Sequence, residues 1–248
     1  MRIFGLIGYP LSHSFSPAFF DEKFRKEKIN DADYQLFPLE NLQDFRLLIS
    51  NNPKLSGLNI TIPYKKNIIP LLDDISEEAT AIGSVNTIKI LRNSDSVFLK
   101  GYNTDVIGFY KSILPLIFPM DKKALILGNG GSAASVKYCL ENQCRIHCTV
   151  VSRHPGPGHI IWEEIDRTII ESHTIIINTT PLGMWPALSE KPPLPYHFIH
   201  SGHLLFDLIY NPAITGFMAE GSERGARVQN GQAMLEIQAE AAWEIWNS

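Results

Sequence analysis

The chain has 248 residues, 44% of them hydrophobic and 19% charged, with a formal net charge of −4. That length supports one large core or two smaller ones, and that apolar content excludes a disordered chain. The mild negative charge excludes partners gathered by a strong field, no apolar run reaches the roughly 18 residues of a membrane span, and MRIFGLIGYPLSHS lacks signal-peptide flanks. The expectation is a cytoplasmic protein with a small-molecule partner, and with neither nucleic acid nor membrane.

Short apolar runs alternate with amphipathic stretches and nothing repeats, which is an α/β pattern. In chain order, strands are expected at 3–7, 34–38, 57–62, 87–91, 98–101, 124–127, 147–151, 174–178 and 204–209, and helices over 17–28, 42–50, 106–114, 132–141, 214–221 and 232–246. In IGYPLSHSFSPAFF, Pro17 suits the first helical position with Ser16 as N-cap, which leaves Ser14 without a structural duty. Two hydroxyls at the positive end of a helix would seat a small carboxylate. GLNITIPYKK reads as a strand closed by Pro63, with Asn59 and Thr61 on one face and Ile60 and Ile62 on the other. Lys65 follows directly, and Lys66 reads as a solvated charge. Asn86 stands at a strand entrance in SVNTIKI, and Asn103, Thr104 and Asp105 precede an apolar-periodic helix. Thr104 or Asp105 would serve as its N-cap, so spacing alone does not separate cap from catalyst.

Cys139, Cys144 and Cys148 cannot all pair and lack metal-site spacing, so buried thiols are expected. His197, His200 and His203 fall in a Pro-flanked loop with no HExxH helix and read as solvated. No metal is expected.

The apolar run 124–127 leads at once into Gly128-Asn129-Gly130-Gly131-Ser132-Ala133 and a helix-forming segment. This is G-x-G-x-x-A in a strand–turn–helix context. The first Gly permits the turn, the second lets the backbone approach phosphate, and Ala133 lets helix and strand pack closely. A ligand-free Gly-rich turn is the bland alternative. A strand that serves NAD usually ends in a carboxylate for the ribose 2′-OH, whereas here Val150-Val151 runs into Ser152-Arg153-His154. A guanidinium suits a 2′-phosphate, so Arg153 argues for NADP.

Taken in order, SHSFSP, NITIPYK, SVNT, NTD, GNGGSA, SRH, NTTPLGM, DLIYNP and NGQAMLEIQA resemble the signature segments of the shikimate dehydrogenase family, from Gly8 to Ala239. The resemblance implies a two-domain α/β fold. An N-terminal α/β substrate-binding catalytic domain with a mixed sheet would span 1–104, rejoined by 231–248 as the last helix returns to it, and a Rossmann-type NADP-binding domain would span 105–230. It implies NADPH-dependent, reversible reduction of 3-dehydroshikimate to shikimate, a step toward the aromatic amino acids, in a monomer or homodimer.

By motif match, Ser14 and Ser16 would hold the substrate carboxylate, and Asn59, Thr61, Asn86, Asp105 and Gln238 its hydroxyls. Lys65 matches the family's catalytic lysine, with Asp105 beside it. Hydride attack on a ketone builds negative charge on oxygen, which an ammonium can stabilise and protonate. Which of Lys65 and Asp105 carries the proton stays open. The cofactor would rest on Gly128, Asn129, Gly130, Gly131, Ser132, Ala133, Ser152 and Arg153, and on its nicotinamide side on Asn178, Thr179, Gly183, Met184, Leu208 and Gly231. Tyr210 matches a position near nicotinamide and substrate.

SRHPGPGH departs from the family pattern. His154 and Pro155 stand where a hydroxyl residue and a second basic residue are often found, which implies weaker 2′-phosphate binding. Three rival readings lose on particular residues. A quinate/shikimate dehydrogenase using NAD would want an acid near Arg153, a non-catalytic ligand sensor would lack Lys65 or Asp105, and a methyltransferase gives no reason for Ser14, Ser16 or Lys65.

Overall fold

A computed structural model describes residues 1–11, 14–94, 96–154, 156 and 158–248; the Ser12 and His13 of SHSFSP, and Pro155, lie outside them. Two units divide the chain, Met1–Thr104 with Ala239–Ser248, and Asp105–Gln238.

The first unit runs β1 (Arg2–Gly8), α1 (Ser16–Glu27), β2 (Ala32–Pro38), α2 (Phe45–Asn51), β3 (Leu55–Ile60), β4 (Asp74–Ile75), α3 (Glu77–Ile82), β5 (Thr87–Arg92) and β6 (Val97–Tyr102). Its strands lie in the order β2-β1-β3-β5-β6-β4. β2, β1 and β3 are parallel, while β5 runs antiparallel to both β3 and β6, so the sheet is mixed. Alternation along β1 sends Phe4 and Leu6 into one core with Phe20, Phe24 and Tyr34, and Ile7 into another with Phe45, Leu58 and Ile88.

Two local expectations are corrected here. β3 stops at Ile60 rather than 62: Thr61 N makes a last bond to Ile7 O (2.9 Å), then Tyr64 N turns back onto Thr61 O (3.0 Å), lifting Ile62 out at 58% exposure. Pro63 has no N–H to continue the ladder. Ser16 is not an N-cap, because it is already the first helical residue, and Phe15 at the cap position makes no side-chain cap. The hydroxyl that serves the helix entrance belongs to Ser14, whose Oγ accepts from Ser16 N at 3.3 Å.

The second unit runs α4 (Asp105–Ile113), β7 (Lys123–Leu127), α5 (Gly131–Tyr138), β8 (His147–Ser152), β9 (His159–Ile161), α6 (Arg167–Ser172), β10 (Ile175–Asn178), β11 (Leu204–Asp207), α7 (Gly216–Glu223), β12 (Arg227–Gln229) and α8 (Gln232–Asn247). The last residues of α8 belong to the first unit. All its strand pairs are parallel, in the order β12-β11-β10-β7-β8-β9. Strand order reverses between β7 and β10, as in a Rossmann sheet, and such a switch point is where nucleotides bind. β10 and β11 are buried at every position, as a parallel sheet covered on both faces requires.

β11 ends at Asp207 rather than 209 because Ile209 N turns to the carboxylate of Asp207 (3.0 Å). α7 starts later than expected, at Gly216, because the Thr215 hydroxyl caps it by accepting from Met218 N (3.3 Å); Ile214 is 69% exposed. α5 gives way after Tyr138 to a π turn over Cys139–Gln143. His203 corrects the reading of its loop, because it is fully buried with Nε2 on Ile170 O (3.1 Å). Cys139 and Cys148 are buried and Cys144 half-buried. No described helix is long and apolar enough to cross a membrane.

Candidate active site

In the first unit, polar side chains converge where β3 ends and β5 begins. Asn59 is buried; its Oδ1 accepts from Tyr34 Oη (2.8 Å) and its Nδ2 reaches Thr87 Oγ1 (3.3 Å). Asn86, also buried, accepts from Thr104 N (2.7 Å) through Oδ1 and donates from Nδ2 to Thr104 Oγ1 (3.0 Å). Thr87 and Thr104 hydroxyls lie 3.2 Å apart. Ser16 hydrogen-bonds the Tyr34 hydroxyl, whose pKa burial pushes far up against that bond, so it stays a neutral donor.

Ser14, Ser16, Asn59 and Asn86 thus belong to one hydrogen-bonded chain that runs through Tyr34 and Thr87. Half-buried Lys65 joins it through the backbone, since its carbonyl accepts from Val85 N (2.8 Å), the residue before Asn86. Half-buried Thr61 follows Asn59 by two residues. Tyr34 and Thr87 were not singled out from the sequence. The available signal was general: a buried tyrosine needs a partner for its hydroxyl.

Asp105, Tyr210 and Gln238 belong to the second unit. Asp105 is buried as the first residue of α4. One turn on, α4 meets α8 so closely that a Cβ on Gly108 would stand 3.0 Å from Gln238 Cβ, which places the helix of Asp105 against Gln238. Half-buried Gln238 donates from Nε2 to Leu235 O (3.1 Å), and Tyr210 is half-buried.

At the switch point, Gly128 has φ +109°, and a Cβ there would lie 2.8 Å from Thr179 Oγ1, so the turn needs glycine. Thr179 donates to Leu127 O from both N (3.0 Å) and Oγ1 (2.7 Å), tying the end of β10 to the end of β7. Above Gly130 no heavy atom stands within 4 Å of a Cβ position, so the approach to the start of α5, where Gly131, Ser132 and buried Ala133 follow, is open at that point. An open face over a helix N-terminus fits a pyrophosphate.

Asn129 is exposed, with Nδ2 3.5 Å from His159 Nδ1. Ser152 closes β8 and accepts from His154 N (3.3 Å); Arg153 is exposed. Asn178 is a bracket: it donates to Asp207 Oδ1 (3.0 Å) and accepts from Thr180 N (3.0 Å), shaping the loop that carries Gly183 and Met184, the latter 39% exposed. Leu208 N bonds Asn178 O (3.0 Å), and buried Gly231 abuts the Leu208 carbonyl, which a side chain would strike.

Three buried groups give this unit a pH signature. Burial lowers the pKa values of His173 and His203 and pushes that of Asp207 up to about 6, against hydrogen bonds from Thr215, Ile209 and Asn178. The histidines bind fewer protons folded than unfolded, so their contribution is lost as pH falls below about 6.5. Asp207 acts oppositely: its contribution is present near the unfolded value of about 3.9 and lost as pH rises through about 6. Thermal unfolding is therefore expected to show a steeper loss from pH 7 to pH 5 in Asp207→Asn than in wild type. Equal slopes would mean that Asp207 ionises as an ordinary surface carboxylate does.

A parallel sheet in Rossmann order, with G-x-G-x-x-A following the strand at its switch point, defines a dinucleotide-binding protein. Comparison with known proteins narrows the class. A family model described as the shikimate dehydrogenase substrate binding domain matches residues 6–88. The shikimate dehydrogenase (NADP(+)) of Methanococcus maripaludis is 36% identical over 264 residues, covering 99% of this chain and 91% of that protein. The crystal structure of shikimate dehydrogenase from Aquifex aeolicus matches with a TM-score of 0.86 at 32% identity, over 100% of this chain and 92% of that one. The structure of Thermus thermophilus shikimate 5-dehydrogenase in complex with NADP(H) and shikimate gives 0.84 at 28% identity, over 99% and 93%. The chain belongs to the shikimate dehydrogenase family.

Proposed function

We propose that the protein is a cytoplasmic, NADP-dependent oxidoreductase that reversibly reduces 3-dehydroshikimate to shikimate, on the path to the aromatic amino acids. Residues 1–104 with 231–248 hold the substrate and 105–230 the nucleotide. What supports this reading is the buried polar cluster of Asn59, Asn86 and Thr104, whose approach at Val85 is bonded to the backbone of Lys65, in a chain whose other unit has an arginine where an NAD site has a carboxylate.

When bound, the nicotinamide supplies the hydride. Lys65 stabilises the charge that builds on the C3 oxygen and delivers a proton to it. Ser14 and Ser16 bind the substrate carboxylate, while Asn59, Thr61, Asn86, Asp105 and Gln238 orient its hydroxyls. Gly128 to Ala133 receive the pyrophosphate, Arg153 binds the 2′-phosphate, and the segments of Asn178–Met184, Leu208–Tyr210 and Gly231 flank the nicotinamide.

The test is to give purified protein shikimate or quinate with NADP⁺ or NAD⁺ and follow cofactor reduction. With shikimate, kcat/KM should be at least about tenfold higher for NADP⁺, the scale of one charge-assisted contact. Arg153→Ala should lower efficiency with NADP⁺ and leave NAD⁺ nearly unchanged. Equal efficiencies would overturn the cofactor assignment, and a preference for quinate would overturn the substrate.

A further inference from the structure

We propose that His159 makes the second protein contact to the 2′-phosphate of NADP, an inference that rests on the dinucleotide site proposed above. The loop after β8 is short of cations: from Ser152 to Trp162 the chain has one arginine, Arg153, and no lysine. Its other basic side chains are the imidazoles of His154 and His159.

β9 returns His159 to the site. It pairs in parallel with β8, opposing His159 to Val150, and His159 N closes the loop on Gly156 O at 3.1 Å. The ring then stands between two loops. Its Nδ1 is 3.5 Å from the Asn129 amide of the glycine-rich turn, and equally far from where a Cβ on Gly156 would sit. In a sheet of this order, the adenosine ribose lies over the ends of the first two strands, here β7 and β8, with its 2′ substituent toward the second. A phosphate there meets Arg153 from one loop and the imidazole from the next strand. With Asn129 Nδ2 donating to Nδ1, the ring proton rests on Nε2, which can donate to a phosphate oxygen. The competing role for His159 is a buttress that only steadies Asn129.

Binding of two cofactor fragments by titration calorimetry separates these roles. Adenosine 2′,5′-bisphosphate carries the 2′-phosphate and adenosine 5′-diphosphate does not. Wild type, Arg153→Ala, His159→Ala and His159→Gln are compared after checking that each melts like wild type. His159→Ala should weaken the bisphosphate about three- to tenfold, the scale of one solvent-accessible hydrogen bond, and change the diphosphate by less than about twofold. His159→Gln, which keeps a donor, should recover part of the loss. Equal weakening of both ligands would make His159 a buttress and overturn the proposal, as would an unchanged bisphosphate affinity. Wild type with no preference for the 2′-phosphate, and Arg153→Ala with no effect, would overturn the NADP reading itself. Preference kept in wild type but untouched in His159→Ala would overturn only the role of His159.

Discussion

Replacing Lys65 with alanine is expected to cut kcat for shikimate oxidation by roughly a hundredfold or more while KM changes little, because the lost ammonium acts mainly in the transition state. Methionine at 65 should do the same, since it keeps most of the length without the charge. Folding should survive both, because Lys65 is fixed through its carbonyl to Val85 N, a bond that any side chain leaves intact. Asp105→Asn completes the experiment. Asparagine keeps the size of aspartate at the first helical position and loses only its charge to the helix dipole, about 0.3–1 kcal/mol, so a large loss of kcat with at most a small drop in melting temperature would assign the carboxylate a chemical part. Wild-type values of both would leave it a helix-start residue, with Lys65 working without it. A Lys65→Ala protein with wild-type kcat would end the proposed mechanism.

The second large effect is on stability. Trp246→Ala should cost about 3–5 kcal/mol, the range for deleting a large buried side chain. Trp246 stacks on Phe4 at 4.8 Å between ring centres, and its Nε1 donates to Ile88 O at 3.0 Å. Its ring fills the space that a side chain on Gly57 would need. Removing it opens a cavity and takes away the indole's bond to the Ile88 carbonyl, which lies within the β3–β5 ladder. Urea unfolding measures the loss, and Trp246→Phe should restore the packing but not the bond. A cost below about 1 kcal/mol would mean that the end of α8 is not anchored.

What could be read from the sequence was what leaves a mark in composition. The glycine-rich turn was legible because Gly128 and Ala133 answer steric demands that few residues meet, and the β7–α5 element around it followed. Central strands were legible as apolar runs. β9 and β12 were missed because three-residue edge strands carry no period to detect. α3 and α6 are six residues each, too short to show a helical stripe. Ser16 is one position further into the helix than expected because Pro17 is tolerated anywhere in the first turn, where a missing N–H costs no intrahelical bond. His203 was misjudged because its partner, the Ile170 carbonyl, lies far away in the chain. The link from Ser16 through Tyr34 to Asn59 was out of reach for the same reason, since it joins a helix start to two strands that only the folded sheet makes neighbours.

The ending of α8 also sets an order of events at the ribosome. Phe4 and Leu6 leave the exit tunnel before Asp105–Gln238, but their core is finished by Ala239, Ala242 and Trp246, which leave it after that stretch. The stretch Asp105–Gln238 is contiguous and can close as soon as it is out. Nascent chains ending at Gln238 and stalled on an appended linker long enough to fill the tunnel should therefore leave the early segment open to protease while the later one resists, and resistance of both would contradict this order. The part made first is the part completed last, so throughout synthesis its Phe4-bearing strand waits exposed for a helix not yet translated.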